Sequence, residues 1–545
     1  MTKRLLIGCI WLLGFCLGAK AQNRYTISGT VKDGATGEVL IGATVGIMEA
    51  SRGGVVSNSY GFYSINMPAG VYRLLVSHAG YAADTVRVRL SRDTILAIDL
   101  QPAGSELAGV VVSAARKNDN IVRPVMGVQK LTINEIRNIP VLFGEKDVLK
   151  TIQLLPGIQF AGDGNSSFYV RGGGADQNLI LLDEATVYNP SHLLGFFSTF
   201  NSDAIKDVTV YKGAMPAEYG GRLSSAVDIR MNDGNTKDYH FGGGIGLIST
   251  RLYAEGPIVR DKGSFSVSGR RTYADVFLKF SGDSTVNQNS LYFYDLNVKG
   301  NYKFDERNRI FLSGYFGRDN LAFGQTFGID YGNTTGTARW NHVFNSRLFS
   351  NTSFIYSNYS YRIRINSNNN DIHITSDIRD LHLKEDLEYY ANADNKVKFG
   401  FSIIHHNISP GIISASKSSS YNSLALQDKY SLENALYVSH EWSPGERWHF
   451  DYGLRLAEFS VLGPGIFYTY DAGGGAIDSA RYGPGRFVKN YVNPEPRVSA
   501  SFQLDSTSSV KLGYNRNTQV FHLLSNSTSA NPTDLWIPSS NNIRP

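Results

Sequence analysis

Residues 233–545 alternate between apolar and polar residues over long stretches. In the segment HFDYGLRLAEF, for example, one face carries the apolar residues Phe450, Tyr452, Leu454 and Leu456. Successive side chains of a β-strand point to opposite faces, so a period of two predicts strands. Several of these strands could exceed ten residues, whereas strands of globular proteins are usually about five or six residues long.

Two kinds of connection separate these strands. Short polar turns occupy residues 305–309, 392–396, 443–447 and 505–509. Between those pairs the connections are longer and polar, as in residues 463–486. Short turns on one side and long loops on the other are typical of outer-membrane β-barrels, whose strands present apolar residues to lipid and polar residues to the lumen. A soluble sandwich has the same period, and strand length favours the barrel.

Residues 24–102 alternate over shorter stretches. Asp-Gly, Gly-Gly and Pro-Ala-Gly turns follow one another at close spacing. Short alternating strands bounded by such turns predict a small all-β sandwich. His78, near its end, is expected to be a surface or sheet histidine rather than a metal ligand.

Residues 103–232 have a mixed pattern. The segments LTINEIRNIP and GEKDVLKTIQLLPG predict two short helices, because in the second one Val148, Leu149, Ile152 and Leu155 recur at three- and four-residue spacing. Asn201 or Ser202 is expected to cap a further short helix before the strand VTVYKG. Together these elements predict an α+β domain.

The glycine-rich stretch VRGGGADQN lies in the middle of this mixed region. It is not a phosphate-binding loop, since neither Lys-Ser nor Lys-Thr follows the glycines. We expect a strand up to Arg171, a turn at Gly172, Gly173 and Gly174 in which glycine permits positive φ, and a return strand that ends at Asp183. Nothing in the sequence places a nucleophile or a base beside this turn, so we predict no catalytic residue.

The first 21 residues are typical of a signal peptide. Lys3 and Arg4 precede an apolar run, and Ala19-Lys20-Ala21 fits a small-x-small cleavage site. Both cysteines of the chain lie in this segment, so the exported protein would have neither a disulfide nor a thiolate metal site. In an alternative lipoprotein, Cys16 would become the new terminus, but the preceding Phe is a poor residue for that role.

Composition narrows the class further. The formal net charge is +5 without a long run of one sign, so nucleic-acid binding has no electrostatic basis. The chain has 31 Tyr, 29 Phe and 55 Gly, and no long apolar segment follows the signal peptide. The remaining fold classes for such an exported chain are a β-barrel and large β-sandwiches. The adjacent His405 and His406 should face opposite sides of a strand, so neither a joint metal site nor a cofactor is predicted.

Two stretches carry a family resemblance. FYVRGGGADQNLILLDEATVYNP and DAIKDVTVYKGAMPAEYGGRLSSAVDI resemble the plug domain of TonB-dependent outer-membrane receptors. SGTVKDGATGEVLIGATV and SYGFYSINMPAGVYRLLVSHAGY, in the first segment, resemble the carboxypeptidase-regulatory-like domain. The chain has Glu184 where the family usually has Gly, so the resemblance does not define the geometry of the turn at this residue.

The resemblance implies a mainly β fold with an N-terminal β-sandwich, an α+β plug and part of an antiparallel transmembrane β-barrel. The implied division is a signal peptide at 1–21, the sandwich at 22–102, a linker at 103–120, the plug at 121–232 and a partial barrel at 233–545. We count roughly 12 strand candidates in the last part, whereas plugged transporter barrels have about 22 strands. We therefore expect further strands downstream of Pro545.

The resemblance also implies site residues. In LAGVVVSA, the residues Val110, Val111, Val112 and Ser113 are similar to a TonB box, the extended segment that pairs with a TonB-type energy-transducing protein by strand addition. The alternative is an ordinary linker strand that packs on the sandwich or the plug. Plug arginines in the family pair with barrel carboxylates, which implies this role for Arg171 and Arg222. The alternative for each is a solvated turn arginine.

The function implied is energised uptake of a nutrient ligand across the outer membrane, with no enzymatic activity. The ligand classes are a siderophore, cobalamin, an oligosaccharide or a peptide. Further partners implied are outer-membrane lipid and a surface lipoprotein, and the N-terminal domain would be periplasmic. The alternatives are a passive or signalling outer-membrane barrel, and a secreted enzyme with an accessory β-sandwich. An enzyme would need a carboxylate pair or a metal motif, which we do not find in the last segment.

Overall fold

The structure is a computed structural model that describes residues 24–48, 54–103, 121, 124–137, 139, 145–162, 167–367, 370–416, 422–524 and 531–545. The predicted signal peptide and the segment from Val110 to Ser113 lie outside these residues. Strands dominate the described chain, which confirms the expected mainly β fold. Among the described residues, no helix combines the length and the apolar character needed to cross a membrane.

Residues 24–103 form the unit that we call the N-terminal sandwich. Its strands are β1 (Arg24–Asp33), β2 (Thr44–Ile47), β3 (Gly54–Val56), β4 (Phe62–Pro68), β5 (Gly70–Ser77), β6 (Asp84–Leu90), β7 (Thr94–Ile95) and β8 (Ile98–Leu100). One sheet has the order β4-β1-β7, with β8 also pairing with β1, and the other has the order β3-β2-β5-β6. Ile27, Tyr63 and Leu74 are fully buried between the sheets. The predicted sandwich is therefore confirmed.

Residues 124–233 form the inner domain. Its elements are β9 (Val128–Thr132), α1 (Ile133–Arg137), α2 (Val148–Gln153), β10 (Ile158–Phe160), β11 (Phe168–Val170), β12 (Asn178–Leu182), β13 (Ala185–Thr186), β14 (Ser191–His192), β15 (Phe197–Ser198), β16 (Ile205–Lys212) and β17 (Ser225–Met231). A sheet of order β13-β12-β17-β16-β9 forms its centre. Asp147 caps α2, whose apolar residues Val148, Leu149 and Ile152 are buried in the core, as the spacing predicts.

Two local predictions in this domain are wrong. Asn201 does not cap a helix: the backbone of Ala204 donates to its carbonyl at 2.9 Å in a turn that leads directly into β16. The strands on either side of the glycines do not form a hairpin. β11 pairs with β10, whereas β12 lies between β13 and β17 and runs parallel to β17. Because β12 is apolar on both faces, it is suited to the centre of a covered sheet rather than to a hairpin edge.

The remaining chain forms the long sheet that we call the wall. Its elements are β18 (His240–Ile245), β19 (Ser249–Val259), β20 (Gly263–Thr272), α3 (Ala274–Lys279), α4 (Ser284–Asn287), β21 (Ser290–Lys303), β22 (Asn308–Phe323), β23 (Phe327–Asn345), β24 (Leu348–Ser367), β25 (Asn370–Asn392), β26 (Asn395–Ala415), β27 (Leu424–Ala425), β28 (Lys429–Trp442), β29 (Trp448–Leu462), β30 (Gly465–Tyr470), β31 (Ala476–Tyr482), β32 (Phe487–Gln503), β33 (Ser509–Asn515), β34 (Phe521–Leu524) and β35 (Leu535–Pro538). Neighbouring strands pair antiparallel from β18 to β33, with β27 joined to β26, while β30–β31 and β34–β35 are separate hairpins. The 23 residues of β25 confirm the expectation of strands longer than ten residues.

The two faces of the wall differ as the period-two pattern predicts. On β29, Tyr452, Leu454 and Leu456 are exposed on the outer face, whereas Arg455 and Ala457 are buried on the inner face. An exposed apolar face of this kind is suited to lipid.

Tryptophans mark the end of the wall that carries the short turns. Trp340, Trp442 and Trp448 lie close to these turns and are 39–45% exposed on the outer face. Trp448 stacks on Phe450 with ring centroids 5.5 Å apart. Outer-membrane barrels carry such aromatic girdles at the level of the lipid headgroups.

The three units are nested. The inner domain contacts wall strands far apart in the sheet, for example through Ser198, which accepts a hydrogen bond from Arg270 on β20, and Met215, which accepts one from Arg497 on β32. The wall therefore curves around the inner domain. The sandwich lies against the short turns, where Ser64 donates to the carbonyl of Ser346 at 2.6 Å.

Candidate functional site

The inner face of the wall is lined by polar and charged side chains that the inner domain covers. On β21, Asp295, Asn297, Lys299 and Asn301 all point inward, and each is at most 3% exposed. A buried charge is costly unless a partner compensates it. The partners of these charges therefore identify the contacts that hold the inner domain in place.

Lys299 is the centre of one such contact. Its ammonium lies 3.0 Å from Asp183 and 2.9 Å from Asp233, and it donates to the carbonyl of Met231 at 2.8 Å. All three N–H groups of the ammonium therefore have a partner. Burial alone would raise the pKa of Asp233, but the charges of Lys206 and Lys299 hold it well below its usual value.

Asp183 and Glu184 form the turn between β12 and β13 in an uncommon backbone conformation. Their φ angles are 44° and 75°, which non-glycine residues rarely adopt. Glu184 stands where the family usually has Gly, and the structure shows that the turn keeps the left-handed conformation that glycine favours. The side chain that Gly would lack is used here for contacts with two other units.

Glu184 joins the inner domain to the wall and to the sandwich. Its carboxylate lies 3.4 Å from Arg339 Nε on β23 and accepts hydrogen bonds from Asn351 on β24 at 3.3 Å and from Tyr60 at 2.8 Å. Burial would raise the pKa of this carboxyl, but the charges of Arg339 and Lys384 outweigh burial and lower it. Glu184 is therefore a buried anion in contact with all three units.

His192 forms a second buried ionic contact. Its Nδ1 lies 2.6 Å from Asp319 and its Nε2 lies 3.5 Å from Asp295, while the ring stacks on Phe293 at 4.1 Å. Burial would lower the pKa of His192, but the two carboxylates raise it above its ordinary value. Asp295 lies on β21, as Phe293 does, and its carboxylate also lies 2.6 Å from the guanidinium of Arg270 on β20.

A third contact joins Tyr188 of the inner domain to the wall. Its hydroxyl donates to Asp380 at 2.7 Å, and the other carboxylate oxygen of Asp380 lies 2.7 Å from His406 Nδ1. His406 is 3% exposed, whereas His405 points away from it. The two histidines thus lie on opposite faces of β26. Among the described residues, no group of three or more His, Cys, Asp or Glu could hold a metal ion.

Most ionic contacts between the two units share one polarity. The inner domain contributes the acids and the wall contributes the bases, as listed by pair: Asp183 with Lys299, Glu184 with Arg339, Glu145 with Arg270, and Glu218 with Lys398. The sequence interpretation missed these acids, assigning Asp183 only to the turn. The signal was present in the period-two pattern, because Lys299, Arg339 and Lys398 fall on the polar face of their strands.

Arg222, predicted to contact the barrel, contacts aromatic rings. It is 5% exposed, and its guanidinium lies 5.2 Å from the ring centre of Trp536 and 5.8 Å from that of Phe521. It also donates to the carbonyl of Gly221 at 3.0 Å. No ion pair of Arg222 with a carboxylate is seen among the described residues.

Arg171, the other predicted contact residue, lies on the surface of the inner domain. It has a φ of 49° and begins the turn, followed by Gly172 with a φ of 82°. A Cβ added to Gly173 would lie 2.5 Å from Ser224 Oγ, so this position has no room for a side chain. Gly174 precedes a short 3-10 turn and has extended backbone. The described residues include no ion pair between Arg171 and a wall carboxylate.

A polar cavity of about 110 Å³ lies between the inner domain and the wall. Its lining includes Glu184, Tyr188 and Arg222 from the inner domain and a row of side chains on β25. Water occupies about 30 Å³ per molecule in the liquid, so the cavity has room for a few water molecules among groups that can bind them. At this cavity the interface between the two units is therefore polar and incompletely packed.

Comparison with known families and structures agrees with this architecture. Residues 128–227 match the TonB-dependent Receptor Plug Domain, and residues 27–112 match the CarboxypepD_reg-like domain. The second match extends over Val110, Val111 and Val112. A search of curated protein sequences finds no significant match.

Three solved structures are similar in fold. The copper transporter OprC has 14% sequence identity and a TM-score of 0.52, with 71% of this chain and 64% of OprC covered. BauA, the ferric preacinetobactin receptor from Acinetobacter baumannii, has 12% sequence identity and a TM-score of 0.52, with 76% of this chain and 67% of BauA covered. FauA, the alcaligin outer membrane receptor from Bordetella pertussis, has 15% sequence identity and a TM-score of 0.52, with 73% of this chain and 64% of FauA covered.

The expected resemblance to TonB-dependent receptors is confirmed by these matches. The inner domain is a plug-type domain, and the wall has the fold of a receptor barrel. The chain spans about two thirds of the length of the solved structures that it resembles. The matched plug family and the three solved structures are named as receptors or transporters.

Proposed function

We propose that this protein is a TonB-dependent outer-membrane receptor that imports a nutrient ligand with energy from a TonB-type partner. In this proposal the domains are those of the sequence division: a signal peptide at 1–21, the sandwich at 22–102, the linker at 103–120, the plug at 121–232 and the barrel from 233. The outer face of the wall contacts outer-membrane lipid, and the sandwich lies in the periplasm.

The observation that carries the proposal is the way the inner domain is held inside the wall. Beside an apolar contact in which Leu193 and Phe197 pack against wall residues such as Phe293, many of its contacts are polar. Asp183 pairs with Lys299 and Tyr188 donates to Asp380, next to a polar cavity. Polar groups can exchange one another for water when a domain moves, whereas an apolar interface would lose its stabilisation outright. The interface is thus suited to a plug that is displaced and returns.

The position of the linker supports coupling to a periplasmic partner. The chain enters it after Ala103, whose backbone donates to Gly80 in the sandwich, and leaves it near Ile121, whose carbonyl accepts from Ser501 close to a short turn. Short turns of outer-membrane barrels face the periplasm. Both ends of the linker that carries Val110 to Ser113 therefore lie where a TonB-type protein could bind the segment by strand addition.

The roles of other predicted residues remain part of the proposal. Arg222 secures the plug against the barrel through its aromatic neighbours. Gly172 gives the plug turn its left-handed conformation, and Gly173 and Gly174 complete the turn. Arg171 acts at the surface of the same turn. The ligand is a siderophore, cobalamin, an oligosaccharide or a peptide, and a surface lipoprotein could assist its capture. OprC, BauA and FauA are, by their names, a copper transporter, a ferric preacinetobactin receptor and an alcaligin outer membrane receptor.

Uptake with and without the energising partner tests this function. Cells that produce the receptor would be given each labelled ligand class in turn, and both surface binding and accumulation would be measured. We expect one class to accumulate only when the TonB-type partner is present. Binding without accumulation in either background would favour a passive or signalling barrel instead.

A further inference from the structure

One turn of the N-terminal sandwich enters the space enclosed by the wall. Residues 58–62, which we call the tip, are the end of the turn after β3 and the first residue of β4. Asn58 fixes the turn, since its side-chain oxygen accepts from the backbone of Tyr60 at 2.9 Å and from that of Phe62 at 3.0 Å. Gly61 has a φ of 73°, and a Cβ there would lie 2.8 Å from Val39. The tip is therefore a rigid projection of the sandwich.

The rings of the tip are used for docking rather than for the core of the sandwich. Phe62 and Tyr60 each stack on Phe349 of β24 with centroids 5.4 Å apart, and Phe62 also contacts Tyr390 at 5.7 Å. These rings form an apolar cluster separate from the sandwich core. Loss of the Tyr60 side chain should therefore leave the sandwich folded.

Tyr60 is the point at which all three units meet. Its hydroxyl donates to Glu184 of the inner domain at 2.8 Å. The guanidinium groups of Arg230, from the inner domain, and Arg339, from the wall, each lie 5.4 Å from its ring centre. Such cation–π contacts add to the stacking on the wall. One side chain thus bridges the sandwich, the inner domain and the wall.

The tip also ends the polar cavity. The cavity follows the inward-facing residues of β25, which are Asp380, His382, Lys384, Asp386 and Glu388. At a rise of about 3.3 Å per residue, this row is about 26 Å long. Phe521 lies near its upper end, beside His406, whereas Ser59 and Tyr60 line its lower end. Asn58 lies 3.4 Å from Glu388 at that lower end.

We propose that the N-terminal sandwich is a second closure of the barrel, in which the Tyr60 tip blocks the periplasmic end of the passage between the inner domain and the wall. The other contacts of the sandwich with the wall suit a unit that can detach. Ser346 donates to Asp93 at 2.9 Å at the surface, and Arg347 donates to Thr26 at 3.1 Å. Ser64 and Thr26 are buried at this contact, whereas the bond of Ser346 with Asp93 is exposed. Polar contacts of this kind can exchange their partners for water when a unit moves. Passage of a ligand then requires the tip to withdraw as well as the plug to move.

Thiol labelling tests the closure without ligand or partner. Residues 22–545 contain no cysteine, so one introduced cysteine is a clean reporter. Ser402→Cys places it on β26 in the cavity lining, at a position that is 4% exposed. The rate of reaction with a small charged methanethiosulfonate would be measured on the purified full chain.

We expect Tyr60→Ala to raise this labelling rate tenfold or more. Tyr60→Phe keeps the ring contacts and loses only the hydroxyl, so its rate should rise less than threefold. Tyr72→Ala is the matched control, because Tyr72 packs on the sandwich's own core. A second reporter, Ser479→Cys on the exposed β31 hairpin, should react equally fast in every variant. Equal Ser402→Cys rates in Tyr60→Ala and the parent, with unchanged circular dichroism, would overturn the closure.

Cross-linking tests whether the sandwich must move, and this arm rests on the proposed function. Asp93→Cys and Ser346→Cys would be joined on cells by a short bis-methanethiosulfonate, which a reductant cleaves. We expect accumulation of labelled ligand to fall at least tenfold after cross-linking and to recover after reduction. Unchanged accumulation would overturn the requirement for withdrawal. If the uncross-linked protein accumulates no ligand, the proposed function has failed, and labelling of Ser402→Cys still decides whether the tip closes the passage.

Discussion

The ammonium of Lys299, on the inner face of the wall, lies 3.0 Å from the carboxylate of Asp183 in the inner domain, and both side chains are at most 3% exposed. Lys299→Met would leave Asp183 and Asp233 without this partner. Breaking a buried ion pair typically costs about 3–5 kcal/mol, and we expect a loss of that order. The free energy of opening would be measured by thiol labelling of Val210→Cys, whose site is fully buried in the inner-domain core.

Lys303→Met is the control for this prediction. Lys303 pairs with Glu306 at an exposed short turn, and exposed pairs contribute about 0–1 kcal/mol. Equal effects of the two substitutions would contradict a role of the Lys299 contact in holding the inner domain.

Val111→Pro should abolish energised uptake and spare ligand binding. Strand addition needs backbone N–H groups at alternate positions, and Pro removes one and restricts the residue before it. Val111→Thr keeps the backbone donors and should be milder. Outer-membrane level, whole-cell binding and accumulation of labelled ligand would be compared. Accumulation at the parental rate would show that Val111 is outside the coupling segment, and absence from the membrane would favour the linker alternative.

The contribution of His192 should depend on pH. Its pKa in the folded protein is raised above the ordinary value of 6.5, so the stabilisation is complete below that value and is lost as pH rises through the folded pKa. We expect the parent to be more stable than His192→Gln at low pH, with the difference shrinking as pH rises. Opening free energies from the Val210→Cys reporter at several pH values would measure this. A difference that does not change with pH would contradict the ion pairs with Asp295 and Asp319.

Glu184→Gly should destabilise the assembly although it introduces the residue that the family usually has. The substitution removes the strain of a non-glycine residue in the left-handed conformation, which should stabilise the fold by about 1 kcal/mol. It also leaves Arg339, which is 5% exposed, without its carboxylate partner. We expect a net loss of about 2 kcal/mol or more. Asp261→Gly is the matched control, because Asp261 has a φ of 60° on an exposed turn, and it should be neutral or stabilising. Equal stability changes in the two variants would contradict the Glu184 contact.

The sequence predicted structure where a local pattern determines it. The alternation around Leu454 and the spacing of Val148, Leu149 and Ile152 depend only on which side of a strand or helix meets solvent. The pairing of β11 with β10 instead of β12 could not be predicted from a local pattern, because strand partners depend on contacts between residues far apart in the chain.

The candidate site was harder to predict for the same reason. Arg171 and Arg222 are conspicuous in the sequence, but the structure places the one at the surface and the other between aromatic rings. The acids Asp183 and Glu184 bind wall cations that lie 116 and more residues away in sequence. Polarity of a position can be read from a period-two pattern, whereas the identity of its partner depends on how the wall is wrapped around the inner domain.

The tryptophans beside the short turns fix the depth at which the wall would lie in the bilayer. Indole rings prefer the headgroup level, so Trp340, Trp442 and Trp448 set how deep the wall sits. Residues 104–120 can span at most about 60 Å when fully extended. In the proposed function, a TonB-type protein that binds residues 104–120 would therefore act within that distance of the membrane surface. Moving the tryptophans along their strands by two residues would shift the depth of the wall by about 7 Å. Under the proposed function, lipid contact on the outside of the barrel thus sets how far into the periplasm the linker can reach its partner.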